Sequence, residues 1–329
     1  MLEHGGNLRL ASKLYGIPTE RWVDLSTGIN PHGWPAPPIP PDIWKRLPET
    51  EDSLSSAAAQ YYGSTLLVPA AGSQPLIQLL PTLRRACRVG ILPPSYGEHA
   101  YAWQRNGHEV VSLDSHSIDT AIDKLDVLVI CNPNNPTGSY FSPEKLLMWR
   151  EKLAQRDGWL IVDEAFTDAL PELSIASHAG LSGLIVLRSL GKFFGLAGAR
   201  VGFALAWPPL LSQIQEALGP WPINGPARLV ATQALQDKHW QLGMRQYLIA
   251  ESGKLASVLA GNGLSPSGST PLFQWVITPH ARQIHTRLAQ QGIWTRFFDT
   301  PQSIRFGLPG SPHDWHQLET ALQKTAEGL

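Results

Sequence analysis

The residues best placed to do chemistry lie in one glycine-rich stretch, Ser189 to Gly202, which reads SLGKFFGLAGARVG. Lys192 follows an apolar run ending at Leu187, with Ser189 three positions before it, Arg200 eight after, and glycines at 191, 195, 198 and 202. An amine can condense with an aldehyde, a hydroxyl and a guanidinium can hold a phosphate, and glycines let backbone come close to both. The combination suggests a phosphorylated cofactor that carries an aldehyde. A lone lysine is ordinarily a solvated side chain, so this reading rests on partners elsewhere in the chain.

Five apolar, β-branched runs carry those partners: Arg88 to Pro94, His108 to Leu113, Asp126 to Pro133, Gly158 to Phe166 and Gly183 to Leu190. Runs apolar on both faces and separated by helical patterns predict an α/β fold with a largely parallel sheet covered by helices. In such sheets the ligand lies at the carboxyl ends of the strands. Tyr96, Asn132, Asn135, Asp163 and Ser189 all fall at or just after such ends. A pyridinium ring is an electron sink only while its nitrogen keeps a proton, and Asp163 is the candidate carboxylate for that task. Asn135, in the proline-ordered turn CNPNNPTG, is placed to hydrogen-bond the ring's phenolate oxygen, and Tyr96 to stack on the ring. Gly72, Ser73 and Gln74 open a helix expected after them, where free N–H groups favour a phosphate.

The flanks differ from this pattern. A short amphipathic helix through Leu8 to Tyr15 follows HGGN, and a short strand at Trp22 to Leu25 runs into a polar turn with Asn30. Residues 35 to 48 are proline-rich and resemble an extended arm. After Trp207 come long helices interrupted by PWPINGP, then three short strands, PLFQWVIT, GIWTRFF and SIRFGLP, with helices between and after them. The expected organisation is an N-terminal segment and arm at 1–48 that joins the small domain, a large cofactor-binding domain at 49–207, and a linking helix with a small α+β domain at 208–329.

Composition narrows the partners. The 329 residues are 43% hydrophobic and 16% charged, with a formal net charge of −1. That balance gives no electrostatic reason for binding nucleic acid or an anionic membrane. Cys87 and Cys131 lie in apolar surroundings without CxxC spacing, so they read as reduced core residues and not as metal ligands; no metal is expected. The N-terminal residues show no targeting pattern and no run nears the roughly 20 apolar residues of a membrane span, so the expected location is the cytoplasm.

In the order glycine-serine helix start, aromatic, Asn, Asp, Ser-x-x-Lys, Arg, these residues resemble the fold-type I pyridoxal-phosphate enzymes, the aspartate-aminotransferase-like superfamily, over nearly the full chain. NPNNPTG, DEAF and SLGKFFGLAGARVG carry most of the likeness. Within it the chain resembles histidinol-phosphate aminotransferases and, more closely, threonine-phosphate decarboxylases of cobalamin biosynthesis, through HGGN, STGINPHG, LRSLGKFFGLAGARVG and PWPINGPA. The resemblance implies pyridoxal 5'-phosphate on Lys192, with Asp163 at the pyridine nitrogen, Asn135 at the phenolate oxygen and Tyr96 stacked. It further implies that Ser189, Arg200 and the Gly72 to Gln74 amides hold the phosphate, and that Arg305 in SIRFGLP binds the substrate carboxylate. The superfamily's homodimer is implied as well.

Three positions depart from the pattern: Gly191 replaces a second hydroxyl of the phosphate cup, Phe166 replaces the tyrosine of DEAY, and Leu47 stands where relatives' arms carry a tyrosine. Phe166 is also expected of the decarboxylase branch. For a substrate phosphate, Arg296 in GIWTRFF, with His4 and Asn30, supplies candidate donors. The expected reaction is decarboxylation of threonine phosphate. The alternatives are a class I/II aminotransferase, such as one for histidinol phosphate, which needs a 2-oxo acid acceptor, and a binding or regulatory protein of the same fold.

Overall fold

In a computed structural model, which describes residues 4–49 and 52–326, the chain folds into two compact units. Thirteen strands occur among the described residues: β1 (Val23–Asp24), β2 (Leu67–Ala70), β3 (Arg88–Ile91), β4 (Glu109–Ser112), β5 (Val127–Cys131), β6 (Trp159–Asp163), β7 (Leu184–Ser189), β8 (Gly202–Leu205), β9 (Gly268–Thr270), β10 (Phe273–Ile277), β11 (Ile293–Trp294), β12 (Arg296–Asp299) and β13 (Gln302–Gly307).

Among the described residues, the larger unit comprises 33–49, 52–135 and 140–242. Its seven-stranded sheet has the order β2-β8-β7-β6-β5-β3-β4. Strands β4, β3, β5, β6 and β7 pair in parallel, whereas β8 is antiparallel to both β7 and β2. Every residue of β5 and β6 is buried, as expected of central strands covered on both faces. Val127, Val129, Ile161, Ile185 and Leu187 pack one face against a helix at Ser73–Leu79 and another at Pro208–Leu218. The helix Ser53–Tyr62 begins where Asp52 accepts from the amide of Leu54 at 3.0 Å and ends at Gly63, whose φ of 73° suits a left-handed cap.

Among the described residues, the smaller unit comprises 4–32, 136–139 and 243–326. A four-stranded antiparallel sheet, β12-β13-β10-β9, forms its centre, and the N-terminal β1 pairs in parallel with β11. Tyr15, Trp22 and Trp294 meet edge to face, with centroids 5.8 to 6.2 Å apart, and anchor the first helix, Leu8–Tyr15.

The unit boundaries differ from those expected at 48 and 207. The arm from Gly33 onward belongs to the larger unit because Trp34 is tied down twice: its amide donates to Phe194 O at 2.8 Å and its indole to Asp237 at 3.0 Å. The helices to residue 242 also belong there. Leu210, Leu211 and Ile214 enter the sheet core, and Arg228 on the helix Gly225–Gln236 pairs with Asp52. Strands β2, β8 and β9 were not expected.

Candidate active site

The carboxyl ends of β5, β6 and β7 and the loop after β3 converge on one cavity in the larger unit. It is lined by Ser73, Gln74, Tyr96, Cys131, Asn135, Asp163, Phe166, Ser189, Lys192 and Arg200 among others. Eight of the nine sequence-predicted cofactor residues thus share one cavity, and the ninth, Gly72, adjoins Arg200.

Lys192 stands in the turn after β7, and the two phenylalanines that follow it explain why the turn holds still. Phe193 and Phe194 are fully buried, and Phe194 stacks on Trp240 at 5.7 Å while Tyr61 meets it edge-on. The turn closes through Gly195 N donating to Lys192 O at 3.2 Å and Leu190 N donating to Val201 O at 3.1 Å. The Lys192 ammonium lies 5.6 Å from the centre of the Phe166 ring, a face that offers no hydroxyl.

At one end of the cavity the backbone is cut to fit an anion. Gly72 has a φ of +85°, and a Cβ there would come within 2.7 Å of Arg200 Nη2. Gly202 opens β8 against the same loop, where a Cβ would meet Ser73 N and Gly72 C at 2.7 Å. Arg200 itself has a positive φ of 54°, a conformation uncommon outside glycine. Ser189 Oγ accepts from Gly191 N at 3.2 Å, so the Gly191 amide orients that hydroxyl.

At the other end Asp163 is 5% exposed and accepts from Ala165 N at 3.1 Å. Its Oδ2 lies 2.9 Å from His99 Nε2. Burial disfavours the imidazolium, but hydrogen bonds to Asp163 and Cys131 outweigh it and lift His99 to about 10, so Nε2–H donates to Asp163. Tyr96 donates through its hydroxyl to Gln74 at 3.1 Å, and Glu98 fixes Gln74 and Gln78 at 2.7 and 3.0 Å. Burial, then the charge of Asp163, pushes the Tyr96 phenol above its usual range, so it stays a neutral donor.

A buried brace behind the cavity joins two of these strand ends. Arg188, next to Ser189, pairs with Glu164, next to Asp163, and with Asp168; Ser174 and Ile175 N also donate to Glu164, at 2.6 and 2.8 Å. Burial works against the Arg188 charge, yet Asp168 and Glu164 hold it on.

Sequence reasoning missed His99, Glu98 and this brace. His99 is three residues beyond Tyr96 at the start of the helix Gly97–Arg105, a spacing that puts both on one side, and it was the available signal. Two readings need correction. Asn132 does not line the cavity: it is fully buried and braces the loop, bonding Phe141 through both amide atoms at 3.2 and 2.8 Å. Cys131 is reduced but borders the cavity, because it ends β5. With His99 and Asp163 it places three donor atoms within 4.8 Å of one another, a cluster the sequence did not suggest.

The four candidate substrate residues belong to the smaller unit. Arg296 and Arg305 face each other directly across β12 and β13, so their side chains share a face. Arg305 is 4% exposed, and its Nη2 donates to Ser26 O. Burial, then the like charge of Arg296, pushes Arg305 below the usual guanidinium range, with Asp24 opposing. Asn30 is buried and its Oδ1 accepts from His32 N at 2.9 Å; His4 is exposed.

An amine, a buried carboxylate with a protonated histidine behind it, an aromatic ring, an asparagine and a glycine-lined phosphate cup make a donor set that fits pyridoxal phosphate. The chain belongs to the aminotransferase class I and II family, whose family model matches residues 21–324. It is 50% identical over 322 residues to a threonine-phosphate decarboxylase of Pseudomonas aeruginosa, covering 98% of this chain and 97% of that one. A threonine-phosphate decarboxylase from Sinorhizobium is 40% identical over 328 residues, with the same coverage. A solved histidinol-phosphate aminotransferase from Sinorhizobium meliloti, in complex with pyridoxal-5'-phosphate, superposes with a TM-score of 0.82 at 20% identity, over 99% of this chain and 95% of the other, and shows the shared fold. The cofactor of this chain is pyridoxal 5'-phosphate.

Proposed function

We propose that the chain decarboxylates L-threonine O-3-phosphate to (R)-1-amino-2-propanol O-2-phosphate, as in cobalamin biosynthesis. When bound, pyridoxal phosphate supplies an electron-accepting ring for the pair left behind by carbon dioxide. Lys192 would provide the amine for the aldehyde. Asp163, backed by the His99 imidazolium, would hold a proton at the ring nitrogen, with Asn135 as donor to the ring oxygen and Tyr96 as the aromatic beside the ring. Ser189, Arg200 and the Gly72 to Gln74 amides would hold the phosphate. Arg305 grips the substrate carboxylate as a fork, and Arg296, with His4 and Asn30, takes the substrate phosphate.

The observation that carries the reading is the facing pair Arg296 and Arg305. Like charges directly opposite on antiparallel strands are destabilising, and a guanidinium does not shed its proton to escape. A substrate with two anionic groups relieves both. Threonine phosphate brings a carboxylate and a phosphate in one molecule, whereas histidinol phosphate brings only the latter and its aminotransferase meets a carboxylate in a separate 2-oxo acid. Relatives at 50% and 40% identity that bear the decarboxylase name support the same choice. Mass spectrometry of the product tests it: an aminopropanol phosphate is expected, and a phosphorylated 2-oxo acid would overturn the reading.

We assign the protein to the cytoplasm as a homodimer. Trp44 and Leu47 on the arm, and Trp221, are more than half exposed, apolar surface that supports a partner subunit. No helix among the described residues is long and apolar enough to cross a membrane. Light scattering at micromolar concentration checks the dimer; a fully active monomer would contradict it.

A further inference from the structure

We infer that Ser26 is a positioning residue that couples the N-terminal segment to Arg305, so that both act on the substrate's anions as one device. The inference rests on Arg305 being a substrate-anion residue, as proposed above.

Ser26 is fully buried, and its polar groups are all committed. Its amide and its hydroxyl both donate to Asp24 Oδ1, at 2.9 and 2.5 Å. The same hydroxyl accepts from Gly6 N at 2.7 Å, and the carbonyl accepts from Arg305 Nη2. Asp24 is fixed in turn by β1, which pairs with β11 in the register Asp24 to Trp294, and Leu25 N donates to Trp294 O at 2.8 Å.

Gly5 lies on that same Ser26 carbonyl. A Cβ at position 5 would stand 2.3 Å from Ser26 O and 2.8 Å from its carbonyl carbon, both backbone atoms that cannot swing aside. Gly6, at a φ of +86°, turns the chain so that its amide reaches the hydroxyl. The carbonyl that orients the Arg305 guanidinium is therefore also the seat of the segment carrying His4. Displacing either one disturbs the other through a shared peptide group. The glycines of HGGN thus have a geometric reason: a Cβ at Gly5 would overlap the Ser26 carbonyl to which Arg305 donates, and Gly6 sits at a positive φ.

The test uses the holoenzyme and its Ser26→Ala, Gly5→Ala, double and Ser26→Thr variants. O-phospho-L-threonine is titrated calorimetrically and kcat and KM are measured, with near-visible absorbance reporting an intact Lys192 cavity. Each single alanine change is expected to weaken binding about tenfold or more, on the scale of a lost hydrogen bond to a charged group. The double variant should fall short of the product of the two, because both act through one carbonyl. Ser26→Thr, which keeps the hydroxyl, should bind more nearly like wild type. KM should change far more than kcat, which a merely structural role would not produce. If Ser26→Ala fails to fold, Gly5→Ala carries the comparison. Wild-type binding with unchanged affinity in the folded variants would overturn the inference alone. Failure of the wild type to bind threonine phosphate would overturn the substrate reading and this inference with it.

Discussion

Replacing Arg296 by alanine should separate stability from recognition. Two stability effects oppose each other: the change removes a like charge facing Arg305 across the strand pair, worth about 0.2 to 1 kcal/mol in favour of the variant. It also removes the Arg296 guanidinium from its place 5.3 Å over the Phe298 ring, which costs about 0.5 to 1 kcal/mol. The sum is near zero, so the melting temperature of the substrate-free holoenzyme should move by no more than about 2 °C. Recognition has no such offset. A charge-assisted bond to a substrate anion contributes roughly 1.5 to 3 kcal/mol, so threonine phosphate should bind about ten- to a hundred-fold more weakly. Unphosphorylated threonine, which lacks the group in question, should be handled much as before. Scanning calorimetry gives the first quantity, and the ratio of kcat/KM for the two amino acids gives the second. An intact preference for the phosphorylated substrate, at unchanged stability, would place the phosphate site elsewhere and refute the argument.

Lys192→Ala should lose the near-visible absorbance of the purified protein, and borohydride should fix the cofactor to Lys192 in wild type; peptide mapping of the label checks both. Gly202→Ala drives a Cβ to 2.7 Å from Arg188 O, Gly72 C and Ser73 N, so it should cost about 1 to 3 kcal/mol and weaken cofactor binding at least about tenfold. Gly198→Ala meets nothing within 4 Å and is the matched control in thermal melts and cofactor titrations. His99 is raised to about 10, above its ordinary value near 6.5, so its stabilising pairing with Asp163 is complete below about 6.5 and is lost as pH rises through 10. Urea midpoints between pH 6.5 and 10 should fall in wild type and flatten in His99→Gln; equal slopes would show that the pair is not the cause.

The central strands were legible because β5, β6 and β7 are buried on both faces and spell continuous apolar runs. Their ends then placed Asn135, Asp163 and Ser189 without further information. Strands β2, β8 and β9 were not legible: they are three or four residues long and contain Pro69, Gly202 and Gly268, and β2 owes its existence to antiparallel pairing with the distant β8, while β9 is one arm of a tight hairpin with β10. The bounds of the compact units differ from the expected ones for a similar reason. The proline-rich look of residues 35–48 says arm, while Trp34, just before them, is held by Asp237 across 203 residues. The same limit hid His99, whose partner lies 64 residues away, and Ser26, whose importance comes from Gly5 and Arg305 arriving from the two ends of the chain. Residue type can announce a lysine or a carboxylate, but a side chain that only orients another has no signature of its own.

The most direct test is the release of labelled carbon dioxide from carboxyl-labelled L-threonine O-3-phosphate by the purified holoenzyme, with and without a 2-oxo acid. The account predicts one carbon dioxide per substrate consumed, with no requirement for the acceptor and none of it converted to an amino acid. Retention of the label in a 2-oxo acid product, formed only when an acceptor is supplied, would contradict it.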